Sequence, residues 1–144
     1  IVSDVSEARL ERARMLGATE TVDSRTARLP AAAQGVDVAF EAVGVQPALD
    51  DAILSVRKGG KVVLVGLFSG PAAVDAFDLV NREVEIVPSC GYRHVYPDLI
   101  GMIAAGIVDP SLIVTREVAL GDVVTGGFER LASVNDDVKV LVIP

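Results

Sequence analysis

The chain has 144 residues, of which 51% are hydrophobic and 23% charged, and its formal net charge is -7 at pH 7. This composition supports one compact core of ordinary domain size and excludes a disordered tail. The negative charge repels phosphodiester backbones and anionic lipids, so nucleic acids and membrane surfaces are excluded as main partners, and small molecules fit better.

The first part of the chain predicts alternating strands and helices. Residues 1–3 have the pattern of the last residues of a strand, so we expect the chain to begin in mid-fold. A helix is predicted over 6–16, because Leu10, Ala13 and Leu16 share one face and Gly17 supplies a stop. The predicted elements that follow are a strand over 19–22, a loop with one helical turn over 23–34, and an apolar strand over 36–43.

A helix that starts near Pro47 is the clearest prediction, because Leu49, Ala52, Ile53 and Val56 form an apolar stripe that runs into the segment 57–60. Residues 61–65 then form a nearly continuous β-branched run, typical of a buried parallel strand. Residues 67–78 are predicted to be irregular, and 83–87 to form another strand. This alternation predicts an α/β fold with a doubly wound parallel sheet.

The remaining residues change in character and predict further helices and strands. These are a helix over 97–105, a strand over 112–118, an amphipathic helix over 122–132 and a last strand over 138–143. The acidic pairs Asp50-Asp51 and Asp136-Asp137 are predicted to be solvated, and the roles of Asp37 and Glu41 stay open between the turn and a cofactor edge.

The order and spacing of several short motifs resemble the zinc-dependent medium-chain dehydrogenase/reductase family, and within it the butanediol, sorbitol and threonine dehydrogenase branch. The resemblance covers the whole chain. The motifs that carry it are Ser3-Asp4 before a helix, Leu16-Gly17-Ala18, the segments 35–44 and 58–66, Asp109-Pro110, and the segments 127–131 and 138–142.

The resemblance implies a Rossmann-type fold that is truncated before its second strand. Residues 1–90 would form part of the NAD-binding domain, and 91–144 would be the carboxy-terminal segment that returns to the catalytic domain. The glycine-rich dinucleotide fingerprint, expected on the first strand before Asp4, is not in the chain. Its absence would leave the strands that end near Asp4 and Gly44 with unpaired edges, so either a neighbouring chain fills the gap or the sheet closes directly.

Asp4 is the sharpest candidate for a cofactor-binding residue. A carboxylate at the end of the second strand can accept hydrogen bonds from both ribose hydroxyls of NAD and repel the extra phosphate of NADP. The alternative is that Asp4 caps the following helix through backbone N–H groups. Arg9 matches a basic residue that borders the adenosine ribose in the family, and it can equally be a solvated helix residue.

Further cofactor-binding positions follow from the resemblance at the ends of three strands. Val43 and Gly44 match the adenosine side, and Lys139 matches a basic residue that can reach the pyrophosphate, although a solvent-facing role is open for it. The positions that match the nicotinamide side are Val65, Gly66, Leu67, Ser89, Cys90 and Gly91.

The implied activity is NAD-linked oxidation of a secondary alcohol or polyol, with zinc held in the preceding catalytic domain. We therefore expect no catalytic or metal-ligating residue in this chain and no turnover from it alone. The lone Cys90 allows no internal disulfide and favours a reducing cytoplasm, and the lone His94 has no metal-ligand partner at the right spacing. The family also implies a homodimer or homotetramer that pairs through the strand at 83–87.

Three other functions are also compatible with the sequence. The first is a zinc-free reductase of the quinone-reductase-like branch, against which Asp4 argues because that branch tends to use NADPH. The second is a methyltransferase, which the segment 127–142 fits badly. The third is a non-catalytic nucleotide-binding module.

Overall fold

The structure is a computed structural model that describes residues 1–133 and 137–144. Its strands pair in parallel throughout, in a two-stranded sheet β1-β2, a three-stranded sheet in the order β3-β4-β5, and a two-stranded sheet β6-β7. The strands are β1 (Val2–Asp4), β2 (Thr21–Asp23), β3 (Val36–Glu41), β4 (Val56–Leu64), β5 (Glu85–Pro88), β6 (Arg116–Ala119) and β7 (Val140–Ile143). The predicted parallel α/β fold is confirmed.

The helices lie between these strands. They are α1 (Glu7–Met15), α2 (Leu29–Ala32), α3 (Gln46–Ser55), α4 (Ala76–Arg82), α5 (Tyr96–Ala104) and α6 (Arg130–Ser133), with 3₁₀ turns at Pro110–Ile113 and Leu120–Asp122 and a π-helix at Val123–Glu129. The contacts divide the chain into two units, one formed by Thr26–Arg93 and the other by Ile1–Arg25 and His94–Pro144. No helix in the described ranges has the length and apolar character that crossing a membrane requires.

In the unit of Thr26–Arg93, helix α3 packs its apolar stripe against the sheet. The buried cluster consists of Leu49, Ala52, Ile53, Val56 and Val62. Leu79, Val84 and Ile86 pack against the same cluster, so α4 and β5 complete it. The opposite face of the sheet is open, since Phe40 is 68% exposed.

The junction between α3 and β4 differs from the prediction. The helix does not run on through Val56, because β4 begins at that residue directly after Ser55. Val56 still belongs to the core, as the apolar stripe predicts, but as a strand residue. The pairing of β3 with β4 shifts register between Val36 and Val38, which absorbs the extra residues around Gly59, where φ is +67°.

Residues 67–75 are irregular as predicted, but helix α4, which begins at Ala76 inside the segment 67–78, is not predicted by the sequence pattern. The Asp75 side chain accepts a hydrogen bond from the Asp78 N–H at 3.1 Å and so caps the helix. At the other end, Arg82 donates to the carbonyl oxygens of Ile53 and Val56, each at 2.9 Å. These contacts join α4 to the end of α3, a long-range effect that the local sequence pattern does not contain.

Within the two acidic pairs, Asp51 and Asp137 are less solvated than predicted. Asp51 accepts hydrogen bonds from the Arg28 side chain and, at 3.3 Å, from the Leu29 N–H at the start of α2. Asp137 is only 6% exposed and accepts hydrogen bonds from Arg116 and Arg130, while Asp136 lies outside the described residues. Hydrogen bonds from arginine side chains hold Asp51 and Asp137 in place more firmly than the sequence pattern suggests.

The carboxy-terminal segment departs most from the predicted elements. The predicted strand over 112–118 is a 3₁₀ turn followed by the short strand β6, and the predicted helix over 122–132 is largely a π-helix. Gly126 and Gly127 allow the backbone to approach Val118 closely, since a Cβ at Gly126 would lie 3.2 Å from the Val118 Cγ1.

Candidate functional site

The turns that follow β3 and β4 meet in a backbone contact. Gly44 has a φ of +84°, and a Cβ built on it would lie 2.6 Å from the carbonyl carbon of Leu67. A Cβ on Gly66 would lie 2.8 Å from the Cα of Gly44. Because neither position has room for a side chain, the two turns form a bare backbone surface at the carboxyl edge of the sheet. We call this contact between Gly44 and the segment 66–67 the glycine crossing.

A small open cleft adjoins this crossing. It has a volume of about 270 Å³ and is lined by Gly44, Val45, Gln46 and the segment 68–72. Gln46 fixes the segment through two hydrogen bonds with Ala73, both 2.8 Å long, in which its amide nitrogen donates to the carbonyl and its amide oxygen accepts from the N–H. The crossing is therefore flanked by a loop that is anchored to the start of α3.

Glu41, the last residue of β3, lies beneath the crossing and is 1% exposed. Its Oε1 accepts hydrogen bonds from the N–H groups of Val43 at 2.9 Å and Gly44 at 2.7 Å. Its backbone oxygen accepts from the N–H groups of Val65 at 2.8 Å and Gly66 at 3.0 Å. Sequence reasoning left Glu41 open between two roles, and the signal that favours this one is a carboxylate two and three residues before N–H groups of a glycine turn.

The segment that follows β5 extends the same edge. The Ser89 N–H donates to the carbonyl oxygen of Leu64 at 2.8 Å, so Ser89 lies beside the end of β4. Ser89, Cys90 and Gly91 are exposed. Within the unit of Thr26–Arg93, the structure thus brings the candidate residues after β3, β4 and β5 to one edge of one sheet.

The candidates Asp4 and Arg9 lie in the other unit, at the end of β1 and on α1. One oxygen of the Asp4 side chain accepts a hydrogen bond from the Ser6 N–H at 2.8 Å, and the other lies 3.7 Å from the Arg9 guanidinium. The capping alternative for Asp4 is therefore present in the structure. The capping hydrogen bond leaves Asp4 able to accept others, because the carboxylate has further lone pairs and remains partly exposed.

A second carboxylate adjoins Asp4 across the small sheet. Asp23 is the register partner of Asp4 at the end of β2. Side-chain and backbone hydrogen bonds from Arg25 lower the pKa of Asp23 to about 2, so this group stays charged at neutral pH. This pair is not visible in the local sequence, because the register of two short strands depends on tertiary contacts.

Lys139, the last candidate, precedes β7. Its carbonyl oxygen accepts hydrogen bonds from the Thr115 N–H at 2.9 Å and the Thr115 hydroxyl at 3.2 Å. Its side chain lines an open, largely apolar cleft of about 630 Å³ together with Glu117 and Leu141. Across residues 1–133 and 137–144, no group of three or more His, Cys, Asp or Glu side chains is placed to hold a metal ion.

Comparison with known proteins identifies a family for this chain. The family model for zinc-binding dehydrogenases matches residues 1–105. The chain belongs to the zinc-binding dehydrogenase family. The resemblance that the sequence motifs indicate is therefore confirmed.

Individual members of the dehydrogenase family match the chain over its whole length. Sorbitol dehydrogenase of Bacillus subtilis (strain 168) is 34% identical over 151 residues, which cover 100% of this chain and 43% of that protein. The crystal structure of 2R,3R-butanediol dehydrogenase from Bacillus subtilis is similar with a TM-score of 0.89 and 31% identity, over 99% of this chain and 42% of that one. A structure from Sinorhizobium meliloti 1021 with NADP bound has a TM-score of 0.88 and 24% identity, over 99% of this chain and 44% of that one. The chain thus spans less than half the length of the relatives that it matches.

Proposed function

We propose that this chain is the nucleotide-binding portion of an NAD-linked, zinc-dependent dehydrogenase that oxidises a secondary alcohol or polyol to a ketone. The observation that carries the proposal is the bare backbone crossing of Gly44 and Gly66 at the carboxyl edge of a parallel sheet. In doubly wound sheets this edge is where nucleotides bind, and glycines there let a flat ligand approach the backbone. The similarity to sorbitol and butanediol dehydrogenases supports the choice of substrate class.

The residues of the chain fit such a nucleotide. Gly44 and Gly66 carry no side chain that could cover the proposed edge, and the open cleft of about 270 Å³ beside Gly44 leaves room there for part of a nucleotide. We assign Val43 and Gly44 to the adenosine side, and Val65, Gly66 and Leu67 to the nicotinamide side. The remaining assignments are Ser89, Cys90 and Gly91 to the nicotinamide side, Asp4 and Arg9 to the adenosine ribose, and Lys139 to the pyrophosphate.

The role of these residues in the reaction is to bind and orient. Bound NAD would supply the hydride acceptor, and zinc held by a preceding domain would supply Lewis acidity towards the substrate hydroxyl. Within the chain, the anchored loop at 68–73 and the crossing of the two turns provide a fixed surface, which reduces the entropy lost when the nucleotide is positioned. We propose that turnover requires the preceding domain and that the chain alone has none.

The choice of NAD over NADP rests on Asp4 in this proposal. The fold by itself accepts NADP, as the Sinorhizobium meliloti structure indicates, so discrimination has to come from side chains. A carboxylate that is partly exposed beside Arg9 can accept hydrogen bonds from ribose hydroxyls, and it repels a phosphate at the same position. We also propose that the enzyme functions in the cytoplasm.

A homodimer or homotetramer that forms through the strand at 83–87 is part of the proposal. The strand β5 is the outer strand of the order β3-β4-β5, so its free backbone edge can continue the sheet into a second subunit.

The experiment is a titration with NAD and with NADP of the full-length protein that carries this chain, of its Asp4→Asn variant and of its Asp4→Ala variant. Asparagine keeps an oxygen for the Ser6 N–H and removes the charge, so Asp4→Asn separates ribose recognition from capping. We expect NAD affinity to fall by about 10- to 100-fold in both variants, because hydrogen bonds to charged groups contribute about 1.5–3 kcal/mol, and NADP affinity to rise. Unchanged NAD affinity in both variants would remove the ribose assignment.

A further inference from the structure

Glu41 is a buried acid whose role is not explained by charge pairing. Acidic side chains are almost never fully buried without a partner, yet Glu41 is 1% exposed. It accepts hydrogen bonds from backbone N–H groups, and no ion pair of the described residues includes it. The carboxylate is therefore held by the turn that it supports. Because burying it costs free energy, we expect it to have a structural or functional role.

The contacts of Glu41 converge from both turns of the crossing. Four N–H groups donate to this one residue, those of Val43 and Gly44 to Oε1 and those of Val65 and Gly66 to the backbone oxygen. The N–H groups of Val43 and Gly44 lie beyond the end of β3 and have no strand partner there. Without an acceptor, part-buried N–H groups of this kind cost free energy, and the Oε1 of Glu41 supplies that acceptor.

The second oxygen of the Glu41 carboxylate lies close to Gly66. Oε2 is buried and has no hydrogen-bond partner among the described residues. A Cβ at residue 66 would lie 2.5 Å from this oxygen. Oε2 therefore occupies the volume that a side chain at 66 would need, and the pair of Glu41 and Gly66 lets the two turns approach each other.

We propose that Glu41 is a positioning residue for nucleotide binding, whose side-chain oxygen holds the Val43–Gly44 turn in the conformation that receives the nucleotide. The inference rests on the proposed function, since it concerns the same edge of the sheet. Glu41 acts through the turn and does not contact the nucleotide, because the side chain is buried beneath the backbone. The acceptor oxygen carries the effect, and the negative charge does not.

The test compares variants of Glu41 in the full-length protein. In Glu41→Gln the amide oxygen can still accept from both N–H groups, whereas Glu41→Leu has no acceptor. Glu41→Asp keeps the charge but is one methylene shorter, which withdraws the oxygen. We expect NAD affinity and the KM for NAD to worsen by about 10-fold or more in the Leu and Asp variants, with kcat little changed, and both to stay within about threefold of the natural protein in the Gln variant.

A matched control on the same strand is Asp37→Leu, because the Asp37 side chain is 80% exposed and pairs with Arg57 at the surface. This variant should bind NAD as the natural protein does. Equal affinity for NAD in the natural protein and in Glu41→Leu would overturn the proposal, as would a loss in Glu41→Gln as large as that in Glu41→Leu. If Glu41→Leu does not fold, the same comparison is made between the Gln and Asp variants.

Hydrogen exchange without nucleotide gives a second readout that does not depend on activity. The peptide over 42–46 contains the N–H groups of Val43 and Gly44, which Glu41 protects in the structure. We expect faster exchange there in the Leu and Asp variants and natural protection in the Gln variant; unchanged protection in all variants would overturn the inference. A natural protein that binds neither NAD nor NADP would instead refute the proposed function.

Discussion

Helices α3 and α5 have similar sequences and different surroundings. Each begins with a proline in its first turn and carries apolar residues at helical spacing. In α3 the residues Leu49, Ala52 and Ile53 are buried against the sheet, whereas in α5 no side chain is buried. The comparison teaches that apolar periodicity predicts a helix but does not say whether a surface is present to cover its apolar face.

The largest expected effect sharpens this comparison with one substitution in each helix. Leu49 is 2% exposed, so Leu49→Ala should leave a cavity and lower the free energy of unfolding by about 2–5 kcal/mol. Ile100 on α5 is 63% exposed, so Ile100→Ala should change it by less than about 0.5 kcal/mol. Urea unfolding of both variants measures the difference. Equal losses would mean that α5 packs into a core and would break the comparison.

The second largest effect is expected at the end of α3, because Arg82, which is distant in the sequence, caps that helix. Arg82 is half-buried and donates to the carbonyl oxygens of Ile53 and Val56 while it pairs with Asp78. Arg82→Ala should lower the free energy of unfolding by about 1–3 kcal/mol, because it leaves these acceptors unpaired. Arg57→Ala is the control, since its ion pair with Asp37 is exposed at the surface and should contribute little. If the two variants unfold alike in urea, the tertiary cap on α3 is unimportant.

The smallest effect concerns the carboxy-terminal segment and depends on pH. Hydrogen bonds from Arg130, and then from Arg116, lower the pKa of Asp137 from its ordinary value of 3.8, against the effect of its burial. Its contribution to stability is therefore complete above that ordinary value and is lost as the pH falls through the lower folded value. Asp137→Asn should have a lower thermal midpoint than the natural protein at pH 7, and the gap should narrow as the pH falls below 3.8. A gap in thermal midpoint that is independent of pH would show that the charge of Asp137 is not what matters.

The fold was largely predictable from local patterns in the first two thirds of the chain. The positions of α1, α3 and β3 follow from apolar spacing, and Gly17 and Pro47 lie close to the predicted helix ends. Residues 67–75 are irregular as predicted, but helix α4 was missed, because its contact with the end of α3 through Arg82 is not visible in the local sequence. The predicted helix over 122–132 was wrong in type over most of its length, since Val123–Glu129 form a π-helix and only Arg130–Ser133 are α-helical.

The candidate site divides in the same way. The glycines at the strand ends could be predicted from sequence, since a turn with positive φ at Gly44 requires a residue without a Cβ. The role of Glu41 could not, because a carboxylate that alternates with apolar residues fits a solvated edge and a buried turn equally well. The outcome depended on where the N–H groups of Val43 and Gly44 point, and that direction is set by the crossing with the turn after β4.

By itself, the sequence determined the alternation of strands and helices, the parallel sheet and the family, because these depend on the period of apolar residues and on glycines at fixed spacing. Only the tertiary structure decided which apolar faces are covered, that Asp137 is buried between two arginines, and that Glu41 supports the glycine crossing. The physical reason is that burial and hydrogen-bond partners are long-range properties. They depend on which backbone groups and side chains meet in space, and residues far apart in the chain supply them.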